Sequence, residues 1–326
     1  MAVFTKINNI DIAYIENQFN LGKIKIFKGI KKGIENTNYL IRTKNNKYIL
    51  TIFEKRIHGG CKYNDLAFFM KLMSKLSKLR IKCPNPIKNK KGSYIFRLKN
   101  KNACIVSFLE GKDKKQLSVN DCYTVGKNIA KLHIASKKIK LFRKNSVGIK
   151  SWKPLLNKID NRINRLSKNL IDNMSTELKY IKKNWPNKLP SGIIHSDLFI
   201  DNIFFYKKRF YGFIDFYFSS TDYLTYELAT CVNALCFKKQ KYKFVLDKEK
   251  SSKLLKGYQS LRKLTPSEKN SFNVLCRGSA LRYLLTRSFD YLNTPKSAII
   301  NIKDPREYIQ KLTFHSDLYS FKDYLK

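Results

Sequence analysis

The segment HSDLFIDNIFFYKKRFYGFIDFY, residues 195–217, constrains this chain more than any other stretch. Its two apolar runs, NIFFY and RFYGFIDF, flank a Lys-Lys pair, which predicts a β-hairpin with the lysines at its tip. Asp197, Asn202 and Asp215 then stand at loop or strand ends, where their side chains can converge on one cleft. Oxygen-bearing side chains at the base of a hairpin indicate a catalytic or metal-binding site.

The spacing of these polar residues points to phosphoryl transfer. That reaction needs a carboxylate to accept or orient the proton of the attacking hydroxyl, and oxygen ligands to hold Mg²⁺ against the phosphates of ATP. His195-x-Asp197-x₄-Asn202, followed by Asp215 after an apolar run, matches the catalytic loop and metal-binding aspartate of kinase-like folds. We expect Asp197 to be the base, Asn202 and Asp215 to be the metal ligands, and His195 to brace the loop. Turn-forming Asp and Asn residues are the alternative, but they do not explain this spacing.

The first hundred residues have the pattern of a sheet with one inserted helix. An apolar stripe at helical spacing covers 64–79 and stops before the prolines of CPNP, since proline cannot continue a helix. Apolar runs of strand length lie on both sides of this helix. The predicted strands are 24–30, 38–43, 47–53, 93–98 and 103–108.

Beyond residue 108 the pattern changes to long helices. Helical periodicity covers roughly 153–184 and 224–236. Further helix starts are marked by capping signals at Ser118 with Asp121, at Thr265-Pro266-Ser267-Glu268 and at Asp304-Pro305. The sequence therefore predicts an α+β protein with a small β-rich N-terminal lobe, residues 1–108, and a larger, mainly helical C-terminal lobe, residues 109–326.

The charge of the chain suggests a second class of function. Lys and Arg number 66 against 24 Asp and Glu, a formal net charge of +42 that would ordinarily favour a polyanion partner. Only 13 of the basic residues are arginine, and the basic residues as a whole are spread along the entire chain. We therefore expect a solvated lysine surface and no nucleic-acid partner, and keep a non-catalytic nucleic-acid binder as the competing hypothesis.

Two further features bear on location. No apolar run reaches the roughly 18 residues of a membrane span, and the start of the chain lacks the pattern of a secretory signal. The seven cysteines are scattered and never spaced as CxxC, which argues against a disulfide framework or a zinc site. We expect a cytoplasmic protein with buried thiols and no membrane partner.

Segments along the whole chain resemble the aminoglycoside phosphotransferase and choline kinase superfamily, and more closely its homoserine kinase branch. They include FKGIKKGIENTNYLIRT, VSFLEGK, GKNIAKLHIAS, IIHSDLFIDNIFF, GFIDFYFSSTDYLTYELATCVNALCF and SALRYLLTRSFDYL. The resemblance implies a bilobal, protein-kinase-like fold and transfer of the γ-phosphate of ATP to the hydroxyl of L-homoserine, with Mg²⁺ as cofactor and threonine biosynthesis as the purpose.

The resemblance implies nucleotide-binding roles for two segments of the N-terminal region. The turn from Gly29 to Asn38 lies between two strands, as a loop that covers phosphates does, with a plain hairpin turn as the alternative. Its glycines allow close backbone approach, and its polar residues can donate to phosphate or substrate; these residues are Gly29, Gly33, Asn36, Thr37 and Asn38. The segment Phe108, Leu109 and Glu110 is the expected hinge whose backbone meets adenine.

One position departs from the family pattern. Where kinases carry a lysine that pairs with the phosphates, the strand YILTIF holds Thr51. Either a nearby base such as Lys55 or Arg56 substitutes, or Mg²⁺ and backbone donors suffice.

An amino-acid substrate asks for an arginine for its carboxylate and an acid for its ammonium group. Arg277, Arg282 and Arg287 recur at five-residue steps on one helix, about 140° apart, and so cannot all face one cleft. Arg282 and Arg287 are the candidates for the carboxylate, and Asp222 and Tyr217 for the ammonium side; a structural role is the alternative for each.

Other small alcohols are the alternative substrates within the same chemistry: choline, an amino sugar or another hydroxylated amino acid. Choline would call for a box of aromatic side chains, and an aminoglycoside for an acidic cluster near the C-terminus. The last twelve residues, HSDLYSFKDYLK, hold only two acids, which disfavours the aminoglycoside.

Overall fold

The computed structural model describes residues 3–30, 36–54, 63–294 and 302–326. These residues form two compact units. The first takes the chain through Gly111 together with the segment Gly212–Tyr217, and the second takes Lys112–Tyr211 and the described residues from Phe218 onward. The sequence prediction placed its single division after residue 108, and did not foresee that a short segment of the predicted catalytic region belongs to the first unit.

The first unit is built on one antiparallel sheet of five strands in the order β1-β2-β3-β5-β4. All five strands were predicted, with ends that shift by one or two residues. Its elements are α1 (Asn9–Gln18), β1 (Ile24–Gly29), β2 (Thr37–Thr43), β3 (Lys47–Ile52), α2 (Tyr63–Lys78), β4 (Ile95–Leu98) and β5 (Lys101–Ser107).

Residue alternation divides this sheet into two faces. One face joins the hydrophobic core formed with α1, and includes Tyr39, Ile41, Leu50, Ile52 and Ile105 together with Ile12, Ile15 and Phe19. Because successive strand residues point to opposite sides, Asn38, Thr51 and Cys104 lie on the other face. That face therefore carries polar side chains in the middle of the sheet.

The remaining elements lie beyond Gly111, and most are helical as predicted. They are α3 (Val119–Ser136), α4 (Ile149–Leu156), α5 (Leu170–Asn184), β6 (Ser191–Ile194), β7 (Ile203–Tyr206), β8 (Arg209–Phe213), β9 (Ser220–Tyr223), α6 (Leu224–Leu235), β10 (Phe237–Gln240), β11 (Lys243–Leu246), α7 (Lys248–Gln259), α8 (Pro266–Asn270), α9 (Phe272–Asn293) and α10 (Arg306–Ser316). Short 3₁₀ turns cover Asn161–Arg165, Ile200–Asn202, Phe216–Phe218 and Phe321–Tyr324. No helix among the described residues is both long and apolar enough to span a membrane.

The second unit is organised around α9. This helix is buried along almost its whole length, and α4, α5, α6 and α10 pack against it. A separate pair, α3 and α7, meets at two glycines: a Cβ atom on Gly126 would clash with the carbonyl of Leu254, and one on Gly257 with the carbonyl of Tyr123. The two backbones therefore touch where side chains would keep them apart.

The local signals of the sequence are largely confirmed. Ser118 and Thr265 cap their helices through complete capping boxes. β7 and β8 form the predicted hairpin, with Lys207 and Lys208 at its tip in the left-handed region that a tight primed turn requires. The helical region predicted for 153–184 is not continuous: α4 ends at Leu156, a short 3₁₀ turn covers Asn161–Arg165, and α5 begins after the left-handed Asn169.

Candidate active site

The loop that follows β6 is fixed from two helices. The backbone N–H of Ser196 donates to Oε1 of Glu227 on α6 at 2.7 Å, and its carbonyl accepts from Nη1 of Arg282 on α9 at 2.9 Å. Ser196 has φ +72°, a strained conformation for serine, and these two bonds hold it there. Glu227 is in turn bound by Nε2 of His133 at 2.8 Å, with both side chains fully buried. The loop is thus preorganised by a buried polar network.

The carboxylate of Asp197 is oriented by a tyrosine and an amide. The hydroxyl of Tyr283 donates to Oδ1 at 3.2 Å, and burial raises the pKa of Tyr283 well above its ordinary value, so that this hydroxyl keeps its proton. Nδ2 of Asn202 donates to the carbonyl of Asp197 at 2.8 Å and lies 3.4 Å from Oδ2. Asp197 remains half-buried and accessible, as a general base requires.

The predicted metal ligands have the right chemistry. Because Asn202 uses its Nδ2 atom on the Asp197 carbonyl, its Oδ1 atom is left as an acceptor. Asp215, two residues after the end of β8, is exposed and has φ +63°. An amide oxygen and a carboxylate are hard ligands that fit Mg²⁺, which uses few protein ligands beside substrate phosphates. Asp215 belongs to the first unit and Asn202 to the second, and their convergence on one ion stays a prediction.

The residues predicted around the phosphate-covering turn have unequal roles. A Cβ atom on Gly29 would lie 2.7 Å from Cγ2 of Val3, so a larger residue here would require Val3 to shift. The hydroxyl of Thr37 donates to Oε1 of Glu54 at 2.7 Å and accepts from the N–H groups of Phe4 and Thr5, which leaves no proton for a phosphate.

Asn36 and Asn38 differ in the hydrogen bonds and the burial of their side chains. Oδ1 of Asn36 accepts from the backbone of Glu54 at 3.4 Å, and this side chain is buried. Oδ1 of Asn38 accepts from the hydroxyl of Thr51 at 2.7 Å, and this side chain is half-buried. Gly33, with Lys55 and Arg56, lies outside the described residues.

The predicted hinge follows β5 directly. Nζ of Lys47 forms an ion pair with Glu110 at 3.0 Å and lies 5.2 Å from the ring centre of Phe108. The backbone N–H of Phe108 donates to the carbonyl of Lys47 at 3.1 Å, and Leu109 is buried. These contacts fix the side chains of the segment, and the predicted contact of its backbone with adenine stays a prediction.

The three arginines of α9 have three different sets of partners, as their spacing predicts. Arg277 makes a bidentate pair with Glu177 at 2.5 and 2.6 Å, and Arg287 pairs with Glu307 at 2.7 Å. Arg282 lies closest to the catalytic loop through its bond to the Ser196 carbonyl. Of the two predicted substrate arginines, Arg282 is the better placed, because it bonds the loop that holds Asp197, whereas Arg287 is paired with Glu307.

The two residues predicted to contact the ammonium group of the substrate have different surroundings. Asp222 is half-buried, accepts from Nδ2 of Asn145 at 2.7 Å, and burial raises the pKa of its carboxyl group. Tyr217 lies in the first unit, where its ring contacts Phe53 and Phe69 edge-on at centroid distances of 5.1 and 5.9 Å. These contacts favour a structural role for Tyr217 over the predicted contact with substrate.

Sequence reasoning missed Tyr283 as the partner of Asp197. The two residues are 86 positions apart, and no local pattern connects them. The available signal was the position of Tyr283 immediately after Arg282, inside a segment already marked by its resemblance.

The chain is similar to known proteins both in sequence and in fold. A family model described as the phosphotransferase enzyme family matches residues 26–262. A homoserine kinase of Brucella anthropi is 40% identical over 324 residues, which cover 99% of this chain and 97% of the relative.

Solved structures similar to this chain include an amicoumacin kinase in complex with AMP-PNP, Ca²⁺ and Ami, with a TM-score of 0.72 at 12% identity, covering 98% of this chain and 94% of that one. They also include a choline kinase from Streptococcus pneumoniae, with a TM-score of 0.67 at 17% identity, covering 95% and 99%. At these identities the two structures bear on the fold alone, and they confirm the predicted kinase-like α+β fold.

Proposed function

The chain belongs to the phosphotransferase enzyme family, and from this premise we propose that it transfers the γ-phosphate of ATP to the hydroxyl of L-homoserine, giving O-phospho-L-homoserine. The observation that carries the proposal is the 40% identity to a homoserine kinase over 99% of the chain. Threonine biosynthesis is the proposed purpose and the cytoplasm the proposed location, since the cysteines of the described residues are free and buried.

Asp197 is the proposed general base. Its carboxylate would accept the proton of the attacking hydroxyl as the bond to phosphorus forms and the bond from phosphorus to ADP breaks. The hydroxyl of Tyr283 supports this role, because it holds Oδ1 in one orientation without neutralising the charge. Positioning of this kind accounts for much of the rate in phosphoryl transfer.

Asn202 and Asp215 are the proposed ligands of Mg²⁺, through the amide oxygen of the one and the carboxylate of the other. When bound, the ion offsets the charge of the phosphate oxygens. The bond from Nδ2 of Asn202 to the Asp197 carbonyl supports this assignment, because it holds the amide oxygen in a fixed direction beside the base.

Arg282 and Asp222 are the proposed contacts for the two ends of the amino acid. Arg282 lies at the catalytic loop, and its positive charge acts on both Asp197 and Asp222. A carboxylate and a guanidinium group held near one another complement the ammonium and carboxylate groups that homoserine carries on one carbon. Choline has no carboxylate for an arginine to bind, so the pair favours an amino acid.

Release of ADP from Mg-ATP, measured across a panel of homoserine, serine, threonine, choline and kanamycin, tests the proposal. We expect the highest kcat/KM with homoserine, and phosphorus NMR should identify a phosphate monoester. Faster turnover of another alcohol would contradict the substrate while leaving the phosphotransferase intact. ATP hydrolysis that no alcohol stimulates would contradict the reaction itself.

A further inference from the structure

The strand position that carries a lysine in kinases holds Thr51 here, and its surroundings are unusual for a strand interior. Thr51 is in the third strand of the five-stranded sheet and is 2% exposed. In the pairing register it lies opposite Asn38 on β2 and opposite Cys104 on β5. The three residues form a row across the centre of the sheet, on the face away from the α1 core.

Two residues of this row are joined by a hydrogen bond. The hydroxyl of Thr51 is 2.7 Å from Oδ1 of Asn38. The hydroxyl of Tyr217 lies beside the row, 3.7 Å from Sγ of Cys104. All four residues belong to the first unit. Thr51 and Asn38 thus form a hydrogen-bonded pair at the centre of the sheet.

The direction of this hydrogen bond follows from the amide oxygen of Asn38. An amide oxygen only accepts, so Thr51 must donate its one proton to Asn38. Burial raises the pKa of the nearby Tyr217 well above its ordinary value, so that Tyr217 adds no negative charge beside the pair.

The hydrogen bond from Thr51 fixes the side chain of Asn38 in one orientation. With Oδ1 turned toward Thr51, the NH₂ group points away from it with two N–H donors. Within the part of the chain that the structure describes, the only partner of this side chain is Thr51, and the side chain is half-buried. Asn38 is also the last residue of the turn predicted to cover the phosphates. The result is a preoriented pair of N–H donors on a half-buried side chain.

We propose that Thr51 and Asn38 together replace the phosphate-pairing lysine: Thr51 orients the amide, and the NH₂ group of Asn38 donates to a phosphate oxygen of the nucleotide. This inference rests on the proposed phosphotransferase function. Asn38 is the binding residue, and Thr51 is a positioning residue that acts through it. A neutral amide supplies hydrogen bonds but not the point charge of a lysine. A chain with a net charge of +42 has less need of one more positive charge at this position.

The test is a double-mutant cycle on nucleotide affinity, measured by calorimetric titration with Mg-AMP-PNP and no acceptor alcohol. Thr51→Val removes the hydroxyl with little change of shape, and we expect binding to weaken about tenfold, as for loss of a hydrogen bond to a charged group. Thr51→Ser keeps the hydroxyl and is the matched control, with affinity within about threefold of wild type. Asn38→Ala should weaken binding at least as much as Thr51→Val.

The cycle separates positioning from general structural damage. If Thr51 acts through Asn38, then Thr51→Val added to Asn38→Ala should change the affinity by less than about twofold. An equal loss in both backgrounds, or wild-type affinity in Thr51→Val, would overturn the inference. Should Thr51→Val fail to fold, as judged by thermal unfolding without nucleotide, Asn38→Asp decides: a carboxylate facing phosphate must weaken binding, and unchanged affinity refutes the proposal.

Failure here is distinguishable from failure of the proposed function. A wild-type protein that phosphorylates homoserine while Thr51→Val binds nucleotide normally refutes only the role of Thr51. A wild-type protein that binds Mg-AMP-PNP but phosphorylates no alcohol refutes the proposed reaction, and the binding cycle still tests Thr51 and Asn38.

Discussion

At the scale of single residues, the charge on Asp197 is the feature on which activity should depend most. Asp197→Asn keeps the size of the side chain but removes the base, and we expect kcat to fall by about 10²- to 10⁴-fold. Thermal unfolding should change little, because the side chain is only half-buried. Asp201→Asn, the same chemical change four residues later, is the control and should leave kcat within about threefold. A fall in kcat of less than tenfold in Asp197→Asn would contradict the assignment of Asp197 as the general base.

The hydroxyl of Tyr283 should matter for the rate through its bond to Asp197 at 3.2 Å. Tyr283→Phe removes this bond while keeping the ring, and we expect kcat to fall about tenfold with KM for ATP unchanged. Tyr308→Phe is a matched control, because the two rings lie 5.2 Å apart and the Tyr308 hydroxyl has no hydrogen-bond partner among the described residues. Steady-state kinetics of both variants tests the prediction, and an equal effect of the two would contradict it.

The predictability of residues depends on whether chemistry or packing selects them. Asp197, Asn202 and Asp215 could be proposed from the sequence, because the reaction prescribes residue types at a fixed local spacing. Tyr283 could not, because α9 reaches Asp197 only through the tertiary packing of the second unit. The neighbour of Gly29 could not be predicted, because the contact of this position with Val3 is one that no local pattern indicates.

At the scale of elements, helix starts and the hairpin were predictable because their signals are local. The capping boxes at Ser118 and Thr265 and the Lys207-Lys208 turn are each formed within a few residues. The helices α1 and α7 were missed. α1 buries only Asp11, Ile12 and Ile15, too few apolar residues to form a stripe that the sequence reveals.

The crossing of α3 and α7 gives a prediction in which two effects oppose each other. Alanine in place of Gly126 would favour the helix by about 1 kcal/mol, but its Cβ would clash with the Leu254 carbonyl. Backbone cannot yield as a flexible side chain can, so we expect a net loss of about 1–3 kcal/mol. Urea unfolding measures it, with Lys131→Ala on the exposed face of α3 as the control. A more stable Gly126→Ala protein would show that the helices separate easily.

The anchoring of α10 should make stability depend on pH. Burial alone would raise the pKa of Glu307, but Lys311 and Arg287 lower it below the ordinary value of 4.5. A lowered carboxyl pKa contributes stability above the unfolded pKa, and that contribution is lost as pH falls through the folded value. Glu307→Gln should therefore destabilise the protein by about 3 kcal/mol at pH 7, since it leaves two cations without their acid.

The difference in stability between wild type and Glu307→Gln should shrink as the pH falls below the ordinary carboxyl pKa. Glu249→Gln is the control, because its ion pair with Lys326 spans 3.8 Å between exposed side chains and should contribute almost nothing. Denaturant unfolding of the three proteins at pH 7, 5 and 4 provides the comparison. A difference for Glu307→Gln that does not change with pH would mean that the carboxylate charge is not what anchors α10.

At the scale of the whole molecule, the fold class could be predicted because strands and helices segregate along the sequence. The division into units could not be predicted in full. The segment Gly212–Tyr217 belongs to the first unit, although the residues on either side of it belong to the second. Its backbone packs closely against the first unit, because a Cβ atom on Gly212 would clash with the carbonyl of Lys82. Sequence order alone cannot reveal that a segment from one region completes the packing of another.

The net charge of +42 supports a last prediction, which separates a solvated lysine surface from a nucleic-acid site. A diffuse positive surface attracts RNA and DNA by releasing counterions, so its affinity falls steeply with salt and ignores sequence. We expect binding of random RNA and DNA in a filter assay to be detectable at low salt and weaker than about 1 μM at about 150 mM salt. Homoserine phosphorylation in the same buffers should persist, because the proposed site acts over a few ångströms, where salt screens little. Tight, sequence-selective binding at physiological salt without turnover of any alcohol would instead favour the nucleic-acid hypothesis, since a site that reads sequence needs contacts that salt does not remove.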